Sequence, residues 1–321
     1  MSQSPLSTAI IGAGITGLSA AKALTDAGHR PTLFDKSRGV GGRLATRRAD
    51  GGLSFDHGAP YVTASDPGFR DTLSDLVTAG AAGVWGPTGP WRGRKPWHVG
   101  HPGMSGLARE LASGVDLISE AEIARLERAD DLWHLSFTDN RAPVLAERVL
   151  LTVPAPQAQR LLGDHPLASR LATVEMAPCL TLMVAFDEQL GLLFDVLKNP
   201  GPELAWIIRN ASKPGRLKLP EAWVAHASAE WSARHLETDK DGIARAMLAL
   251  LPGAMEVDLP EPVYLAGHRW RYACTATPLG QASLADPETG LFMGGDWCLG
   301  PNAEDGWLSG QALAKAALES L

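Results

Sequence analysis

The chain has little of several residue types, and each shortage excludes a class of protein. Its three cysteines, Cys179, Cys274 and Cys298, are far apart and odd in number, which argues against a disulfide framework or a metal cluster and fits a reducing compartment. No uninterrupted apolar run of about 18 residues is present, so we expect no transmembrane helix. The polar first residues do not resemble a signal peptide. We therefore expect a cytoplasmic protein without a bound metal.

Positive charge is also scarce relative to negative charge. The 29 Lys and Arg against 36 Asp and Glu give a net charge of −7, which disfavours nucleic acid and anionic membranes as partners. The 321 residues suit two domains, and no internal repeat is visible. The chain has only three tyrosines but ten tryptophans. Several of the tryptophans lie beside glycine-rich segments, where large flat side chains often line a cavity.

A glycine fingerprint follows the first predicted strand, residues 8–11. Gly12 suits a tight turn, Gly14 lets the backbone approach a pyrophosphate, and Gly17 lets a helix pack closely on the strand. The helix that opens here would offer free N–H groups to the phosphates. Asp35 ends the next strand, near the spacing expected for an acceptor of ribose hydroxyls. The alternative is an ordinary glycine turn, but strand, helix and acid together favour nucleotide binding.

A second glycine-rich loop comes directly after Asp35. It runs KSRGVGGR from Lys36 to Arg43, and a simple NAD-binding unit has no need of it. A cofactor lying along the domain, with a second segment around its pyrophosphate, does need such a loop. Arg43 would make charge-assisted bonds to that pyrophosphate, and a solvated surface arginine is the alternative.

These residues resemble the FAD-binding fold of the amine oxidase superfamily. Further matches are the segment DHGAPY at residues 56–61, the strand segment VLLTVPAP at residues 149–156, and GGD at residues 294–296. The resemblance implies that a helix starting near residues 305–307 points N–H groups at the flavin edge. Some amine oxidases attach flavin through a cysteine in the region of Cys274, but the local pattern differs here, so we expect non-covalent FAD and an ordinary buried thiol at Cys274. The predicted cofactor-binding residues are Gly12, Gly14, Ile15, Thr16, Gly17, Asp35, Lys36, Gly42, Arg43, Gly58, Ala59, Pro60, Ile123, Gly295, Asp296, Asp305, Gly306 and Trp307.

The middle and the last third of the chain resemble the renalase branch, especially its bacterial members. The matching segments are WIIRN at 206–210, VAH at 224–226 and HRWRYA at 268–273. The resemblance implies oxidation of non-standard dihydro isomers of NAD(P), with O₂ reduced to hydrogen peroxide. The expected partners are therefore a dinucleotide substrate and O₂, without nucleic acid or membrane, and the oligomeric state stays open.

Amine or polyamine oxidation, or a related flavin desaturation, is the competing enzymatic reading. Many relatives place a lysine–water pair at flavin N5, and we expect Lys198, Lys213 and Lys218 to be solvated surface residues instead. Oxidation of a dihydropyridine needs orientation more than a general base. A non-enzymatic nucleotide-binding sensor is the third reading.

Four residues are predicted to position the substrate: Tyr61, Asn210, His226 and Trp270. Asn210 would bind the nicotinamide carboxamide or the flavin edge, or else be a turn residue. His226 would face the flavin cavity, or be a core histidine satisfied by a backbone carbonyl. Tyr61 and Trp270 would pack the two rings, with a core role for Trp270 as the alternative.

The predicted fold class is α/β, an α+β two-domain arrangement. A Rossmann-like FAD-binding domain, discontinuous over residues 1–70, 98–165 and 264–321, receives an inserted domain with a mixed or antiparallel sheet. That substrate domain covers residues 71–97 and 166–263.

Overall fold

The computed structural model describes residues 6–89 and 95–320. Its strands are β1 (Leu6–Ile11), β2 (Thr32–Phe34), β3 (Arg47–Arg48), β4 (Ser54–Phe55), β5 (Ala82–Trp85), β6 (Trp97–Gly100), β7 (Asp116–Ile118), β8 (Ile123–Ala129), β9 (Leu132–Phe137), β10 (Val144–Leu151), β11 (Glu175–Phe186), β12 (Val196–Lys198), β13 (Leu204–Arg209), β14 (Glu221–Ala227), β15 (Tyr264–Thr277), β16 (Leu284–Asp286) and β17 (Leu291–Met293). Its α-helices are α1 (Ile15–Asp26), α2 (Pro67–Thr78), α3 (Ser105–Leu111), α4 (Ala155–Leu162), α5 (Pro166–Ser169), α6 (Ala229–Arg234), α7 (Lys240–Leu248), α8 (Leu251–Met255) and α9 (Ala303–Glu319).

The chain divides into two compact units. The first contains Met1–Gly42, Ala108–Met176 and Thr275–Leu321, and the second contains Arg43–Leu107 and Ala177–Cys274. This division differs from the predicted domains chiefly in assigning residues 43–70 to the second unit. The physical reason is that Leu53 and Phe55 belong to a hydrophobic cluster of that unit. The predicted substrate-domain segment 71–97 includes residues 90–94, which lie outside the described residues.

The first unit is built on a sheet in the order β16-β17-β10-β1-β2-β7, with β9 and β8 branching from β10. Strands β17, β10, β1, β2 and β7 pair in parallel. Ala9, Ile10 and Ile11 are almost fully buried, as expected for a parallel strand covered on both faces. The predicted βαβ unit is present: α1 connects β1 to β2 and ends shortly before Gly28, whose φ is +88°.

The second unit is built on an antiparallel sheet in the order β12-β13-β14-β11-β15. On β14, Trp223 and Ala225 face a cluster that includes buried residues of α6, α7 and α8. Ala222 and Val224 face the opposite side, where they pack against Leu53. Because successive side chains of a strand alternate, His226 belongs to this opposite side.

The predicted fold class, a Rossmann-like sheet with a separate antiparallel sheet, is confirmed. The segment before residue 100 contains α2 and the antiparallel pair β5–β6. Within the described residues, no helix is long and apolar enough to cross a membrane.

Candidate active site

The first glycine loop, in the first unit, has two glycines that the fold requires and one that it does not. Gly12 has φ +109°, and a Cβ on Gly17 would lie 1.9 Å from the carbonyl oxygen of Gly12. A Cβ on Gly14, in contrast, would meet no atom within 4 Å. Protein packing therefore gives no reason for glycine at residue 14. The open space in front of its backbone, at the first turn of α1, fits the close approach of a phosphate group.

The second glycine loop lies against the first. Gly41 donates its N–H to the carbonyl of Ala13 at 2.8 Å, and a Cβ on Gly42 would lie 3.5 Å from the Cα of Gly14. Gly42 has φ +52°, in the left-handed region that favours glycine. The structure thus brings together two loops that the sequence separates by about one helix and one strand.

Asp35 holds the first loop in place. Its Oδ2 accepts the N–H of Ala13 at 2.6 Å, and its Oδ1 accepts the N–H of Ser37 at 2.7 Å. The neighbouring Lys36 is exposed. Ile123, another predicted cofactor residue, has a side chain that belongs to the hydrophobic core of the first unit.

The last predicted cofactor segment combines a buried acid with a helix start. Asp296 is 5% exposed, and its Oδ2 accepts the hydroxyl of Thr275 at 3.0 Å. The preceding Gly295 donates its N–H to the hydroxyl of Ser309. Helix α9 begins at Ala303, earlier than the predicted start near residues 305–307.

The predicted residues of α9 have structural partners of their own. The carboxylate of Asp305 accepts the N–H of Asn302 at 2.8 Å in a capping box. A Cβ on Gly306 would lie 2.8 Å from Cγ2 of Ile15 and 3.1 Å from Oγ1 of Thr16, so this glycine lets α9 approach α1 closely. The carbonyl of Trp307 accepts the hydroxyl of Ser19.

Arg43 is anchored within the second unit rather than solvated. Its carbonyl accepts the N–H of Ala59 at 2.8 Å, and its Nη1 donates to the carbonyl of Ala273 at 3.0 Å. A Cβ on Gly58 would lie 2.0 Å from the Arg43 carbonyl oxygen, so only glycine fits there. Pro60, like Ala59, is half-buried. The pyrophosphate contact of Arg43 remains a prediction.

Just before Gly58 in the chain, Asp56 belongs to a buried group of charged side chains. This group, here called the carboxylate hub, consists of Asp56, Lys213 and Arg216. Oδ2 of Asp56 accepts from Nζ of Lys213 at 2.9 Å and from Nη2 of Arg216 at 2.6 Å. Its Oδ1 accepts from the hydroxyl of Thr46 and the N–H of Met104, both at 2.8 Å. One carboxylate therefore joins three separate segments of the second unit.

The hub corrects the expectation that Lys213 is a solvated surface lysine. Lys213 and Asp56 are each 0% exposed, whereas Lys198 and Lys218 are exposed as predicted. Burial lowers the pKa of Lys213 from 10.5 to about 8, and Asp56 partly opposes that shift. Burial alone would raise the pKa of Asp56, but Lys213 and Arg216 hold it below its usual value.

Asn210 is committed to the protein backbone. It is fully buried, its Nδ2 donates to the carbonyl of Ser54 at 2.8 Å, and its Oδ1 accepts the N–H of Asp56 at 3.3 Å. It also begins a short 3₁₀ turn over residues 210–212. This geometry favours the turn interpretation over direct contact with a substrate.

A histidine cluster, comprising His57, His226, His268 and Trp270, lies in the second unit. The rings of His57 and His268 meet edge to face at 4.6 Å between centroids, and Trp270 lies 5.1 Å from His57 and 4.5 Å from His268. Nε1 of Trp270 donates to the carbonyl of His57 at 2.9 Å. Nδ1 of His57 and Nε2 of His226 are buried and have no hydrogen-bond partner among the described residues.

Burial keeps these three imidazoles neutral. It lowers the pKa of His57 and of His226 to about 4, and that of His268 to about 3. The positive charge of Lys213 lowers the pKa of His226 further, while a hydrogen bond to the His57 backbone acts in the opposite direction. His226 therefore agrees in part with both interpretations. One ring nitrogen binds a backbone group, as expected of a core histidine, and the other has no partner and can bind a ligand.

Three rings form a second feature, here called the ring stack: Tyr61, Trp97 and Trp206. Tyr61 stacks on Trp97 with centroids 3.7 Å apart and planes within 4°, and Trp206 meets both rings edge-on. Burial raises the pKa of Tyr61 to about 12, so its phenol stays neutral. Trp206, His226 and Thr181 are direct cross-strand neighbours on β13, β14 and β11.

The cysteines and the possible metal ligands complete the description of the candidate site residues. Cys274 is exposed, which corrects the expectation of a buried thiol, while Cys298 is buried. In the described part of the chain, no group of three His, Cys, Asp or Glu side chains is arranged to hold a metal ion.

Two family models match this chain. The NAD(P)-binding Rossmann-like domain matches residues 10–76, and the flavin-containing amine oxidoreductase matches residues 72–318. The chain belongs to the flavin-containing amine oxidoreductase family.

Individual relatives of this chain are similar over a short segment or in fold alone. A segment of 71 residues, 22% of the chain, is 43% identical to 4,4'-diapophytoene desaturase (4,4'-diaponeurosporene-forming) of Staphylococcus aureus (strain Newman), and it spans only 13% of that protein. A provisionally named protoporphyrinogen oxidase from Exiguobacterium sp. 255-15 is 16% identical with a TM-score of 0.76, covering 99% of this chain and 100% of that one. Cyclohexylamine oxidase from Brevibacterium oxydans IH-35A is 15% identical with a TM-score of 0.71, covering 98% and 99%.

Several residues of the candidate site were not predicted from the sequence. His57 lies in the segment DHGAPY and His268 in HRWRYA, both of which carry the family resemblance, so their positions in these segments could have identified them as candidate site residues. Lys213 and Arg216 occur in the segment SKPGR, whose proline and glycine suggest an exposed loop. Their common partner, Asp56, explains why Lys213 and Arg216 are nevertheless buried.

Proposed function

We propose that the protein is an oxidase with non-covalent FAD that converts 2- or 6-dihydronicotinamide isomers of NAD(P) to NAD(P)⁺ and reduces O₂ to hydrogen peroxide. The observation that carries the proposal is the histidine cluster: His57 and His268 lie beside Trp270, His226 is bonded to the His57 backbone, and His57 and His226 each have an unpartnered ring nitrogen. A flat, uncharged dihydropyridine ring with a carboxamide requires aromatic packing and neutral hydrogen-bonding groups of this kind.

The flavin fits the first unit, since the open space at Gly14 and the adjoining second loop suit a pyrophosphate. When bound, it supplies the hydride acceptor and the electrons for O₂. Loss of hydride makes the nicotinamide ring aromatic and requires no prior loss of an N–H or O–H proton. The protein therefore has to orient the ring, with the reacting atoms roughly 3–3.5 Å apart, and needs no general base.

His226 has a defined role in this orientation. Because Nε2 is the nitrogen without a partner, the hydrogen bond to the His57 backbone belongs to Nδ1, which carries the proton in the neutral ring. Nε2 is then an acceptor, and we assign it to the carboxamide NH₂ of the substrate. Tyr61 and Trp206 supply flat surfaces for packing, and Asn210 supports the site through the backbone of residues 54–56.

Amine oxidation is the second candidate, and the burial of Lys213 is the observation that favours it. The expectation that all three lysines are exposed was one argument against an amine substrate. The burial of Lys213 removes that argument. Its Nζ, however, is bound to Asp56 at 2.9 Å. A nucleotide-binding sensor without turnover is the non-enzymatic alternative. Under each of these three functions, we propose that the protein has no nucleic-acid or membrane partner.

Anaerobic mixing of the yellow holoprotein with 2-, 4- and 6-dihydronicotinamide dinucleotides, and separately with amines, tests the proposal. We expect loss of the flavin absorbance with the 2- or 6-dihydro isomer, and recovery of colour with peroxide release when air is admitted. Bleaching only by amines would contradict the proposal and support the second candidate. A protein that cannot take up FAD would contradict both enzymatic functions.

A further inference from the structure

Two exposed cations, Arg47 and Lys240, lie on different elements that both reach the histidine cluster. Arg47 is in β3, directly opposite Phe55 of β4. The ring of Phe55 stacks on Tyr264 of β15, with centroids 4.8 Å apart and planes within 20°. The short hairpin β3–β4 thus lies on the strand that carries His268.

Lys240 approaches the same strand from α7. A Cβ on Gly267 would lie 2.3 Å from the carbonyl oxygen of Lys240, so β15 packs directly on the first residue of α7. His268 follows Gly267 in the chain. The neighbouring Asp239 is the N-cap of α7, and its side chain accepts the N–H of Gly242 at 2.7 Å.

The charged groups that shift the pKa of His268 are all cationic or imidazole groups. Besides burial, the groups that lower its pKa are His57, Lys240 and Arg47, and no carboxylate is among the groups that shift it. Arg47 also lowers the pKa of His57. Two exposed cations therefore lie beside a neutral cluster that includes the unpartnered Nδ1 of His57, in a chain whose net charge is −7.

We propose that Arg47 and Lys240 bind the pyrophosphate of the dinucleotide substrate while the histidine cluster holds its dihydronicotinamide ring. This inference rests on the proposed function and adds a specificity to it. The pyrophosphate carries two negative charges, and a guanidinium and an ammonium on separate elements provide complementary charge. The protein then prefers dinucleotides over the dihydronicotinamide riboside, which has the same reactive ring and no phosphate.

The test compares Arg47→Ala and Lys240→Ala holoproteins with wild type, and Arg48→Ala is the matched control. Arg48 is also exposed and is adjacent to Arg47, but it is not among the groups that shift the pKa of His57 or His268. We expect kcat/KM for the dihydro-dinucleotide to fall about tenfold in each variant, with a weaker salt dependence than in wild type. The riboside should react equally well with all four proteins.

Binding of ADP-ribose, measured by equilibrium dialysis, tests this inference separately from the proposed function. ADP-ribose carries the pyrophosphate but no nicotinamide, so its binding requires no turnover. Weaker binding in both variants, with an unchanged flavin spectrum, supports the phosphate site even if no dihydronicotinamide is oxidised. Equal binding in wild type and both variants, or no binding to wild type, overturns the inference, and equal kcat/KM values on the dinucleotide do so too.

Discussion

Lys213 and Asp56 form an ion pair in which neither side chain reaches solvent, with Nζ and Oδ2 2.9 Å apart. Arg216 binds the same carboxylate oxygen at 2.6 Å. Two cations thus share one anion in the interior of the second unit. The desolvation of such a group is costly, and its stability depends on the single carboxylate.

Replacement of Asp56 should therefore be the most damaging change in the carboxylate hub. We expect Asp56→Asn to lower the free energy of unfolding by about 3–5 kcal/mol, because Lys213 and Arg216 would remain buried without a counter-charge. Lys213→Met should cost much less, since Arg216 keeps its partner. Urea denaturation measures both, and Asp50→Asn, at an exposed position, is the control. An equal loss for Asp56→Asn and Lys213→Met would contradict this account.

The buried histidines should make stability depend on pH in the acid range. The folded-state pKa of His226 is about 4, below its ordinary value of 6.5. Between these values the unfolded chain binds a proton that the folded chain does not, so stability is complete above about pH 6.5 and is lost as the pH falls toward 4.

Urea denaturation of His226→Gln at several pH values tests this relationship. The variant should take up fewer protons on unfolding than wild type between pH 4 and 6.5, by up to about one proton. Identical pH profiles in the two proteins would show that His226 is not neutral in the folded state.

Gly14 and Gly17 should respond differently to alanine. At Gly14 a Cβ meets nothing, so Gly14→Ala should leave the stability of the flavin-free protein within about 0.5 kcal/mol of wild type while weakening flavin binding at least tenfold. Gly17→Ala places a Cβ 1.9 Å from the Gly12 carbonyl and should destabilise the flavin-free protein itself. Thermal unfolding and the ratio of flavin to protein absorbance after dialysis measure the two effects. Unchanged flavin retention in Gly14→Ala would mean that no phosphate lies there.

His226 should matter for substrate oxidation and not for flavin content. We expect His226→Ala to reduce the rate constant for anaerobic flavin reduction by about tenfold or more, because the carboxamide loses its acceptor and the ring its orientation. Stopped-flow absorbance gives the rate, and His29→Ala, after α1 in the first unit, serves as the control. A normal rate in His226→Ala would return this residue to a purely structural role.

Much of the first unit was predictable because its signals are local. Gly12, Gly14 and Gly17 combine a strand, a turn and a helix within a few residues, and Asp35 follows at a set spacing. The positions of many strands follow from similar short-range patterns of apolar residues. The order of the strands in the first sheet does not, because it depends on pairing between distant segments such as β1, β10 and β17. The start of α9 was missed because Asn302 and Asp305 form the cap through side-chain geometry.

The chemistry of the second unit was less predictable because its partners are distant in the chain. The sequence left open whether Asn210 binds a ligand or belongs to a turn, and its amide binds the backbone of residues 54–56, more than 150 positions away. Lys213 looked exposed because proline and glycine follow it. Neither outcome is visible in the neighbouring sequence, since the deciding atoms belong to another segment.

The amino-acid sequence by itself determined the glycine loops, the parallel strands and the flavin oxidoreductase family, because turns, helix starts and strand alternation depend on residues close together in the chain. Only the tertiary structure decided that Asp56 gathers Lys213 and Arg216, that three histidines are neutral, and that His226 keeps one free nitrogen. Burial and charge pairing set these properties, and both depend on which distant segments the fold brings into contact.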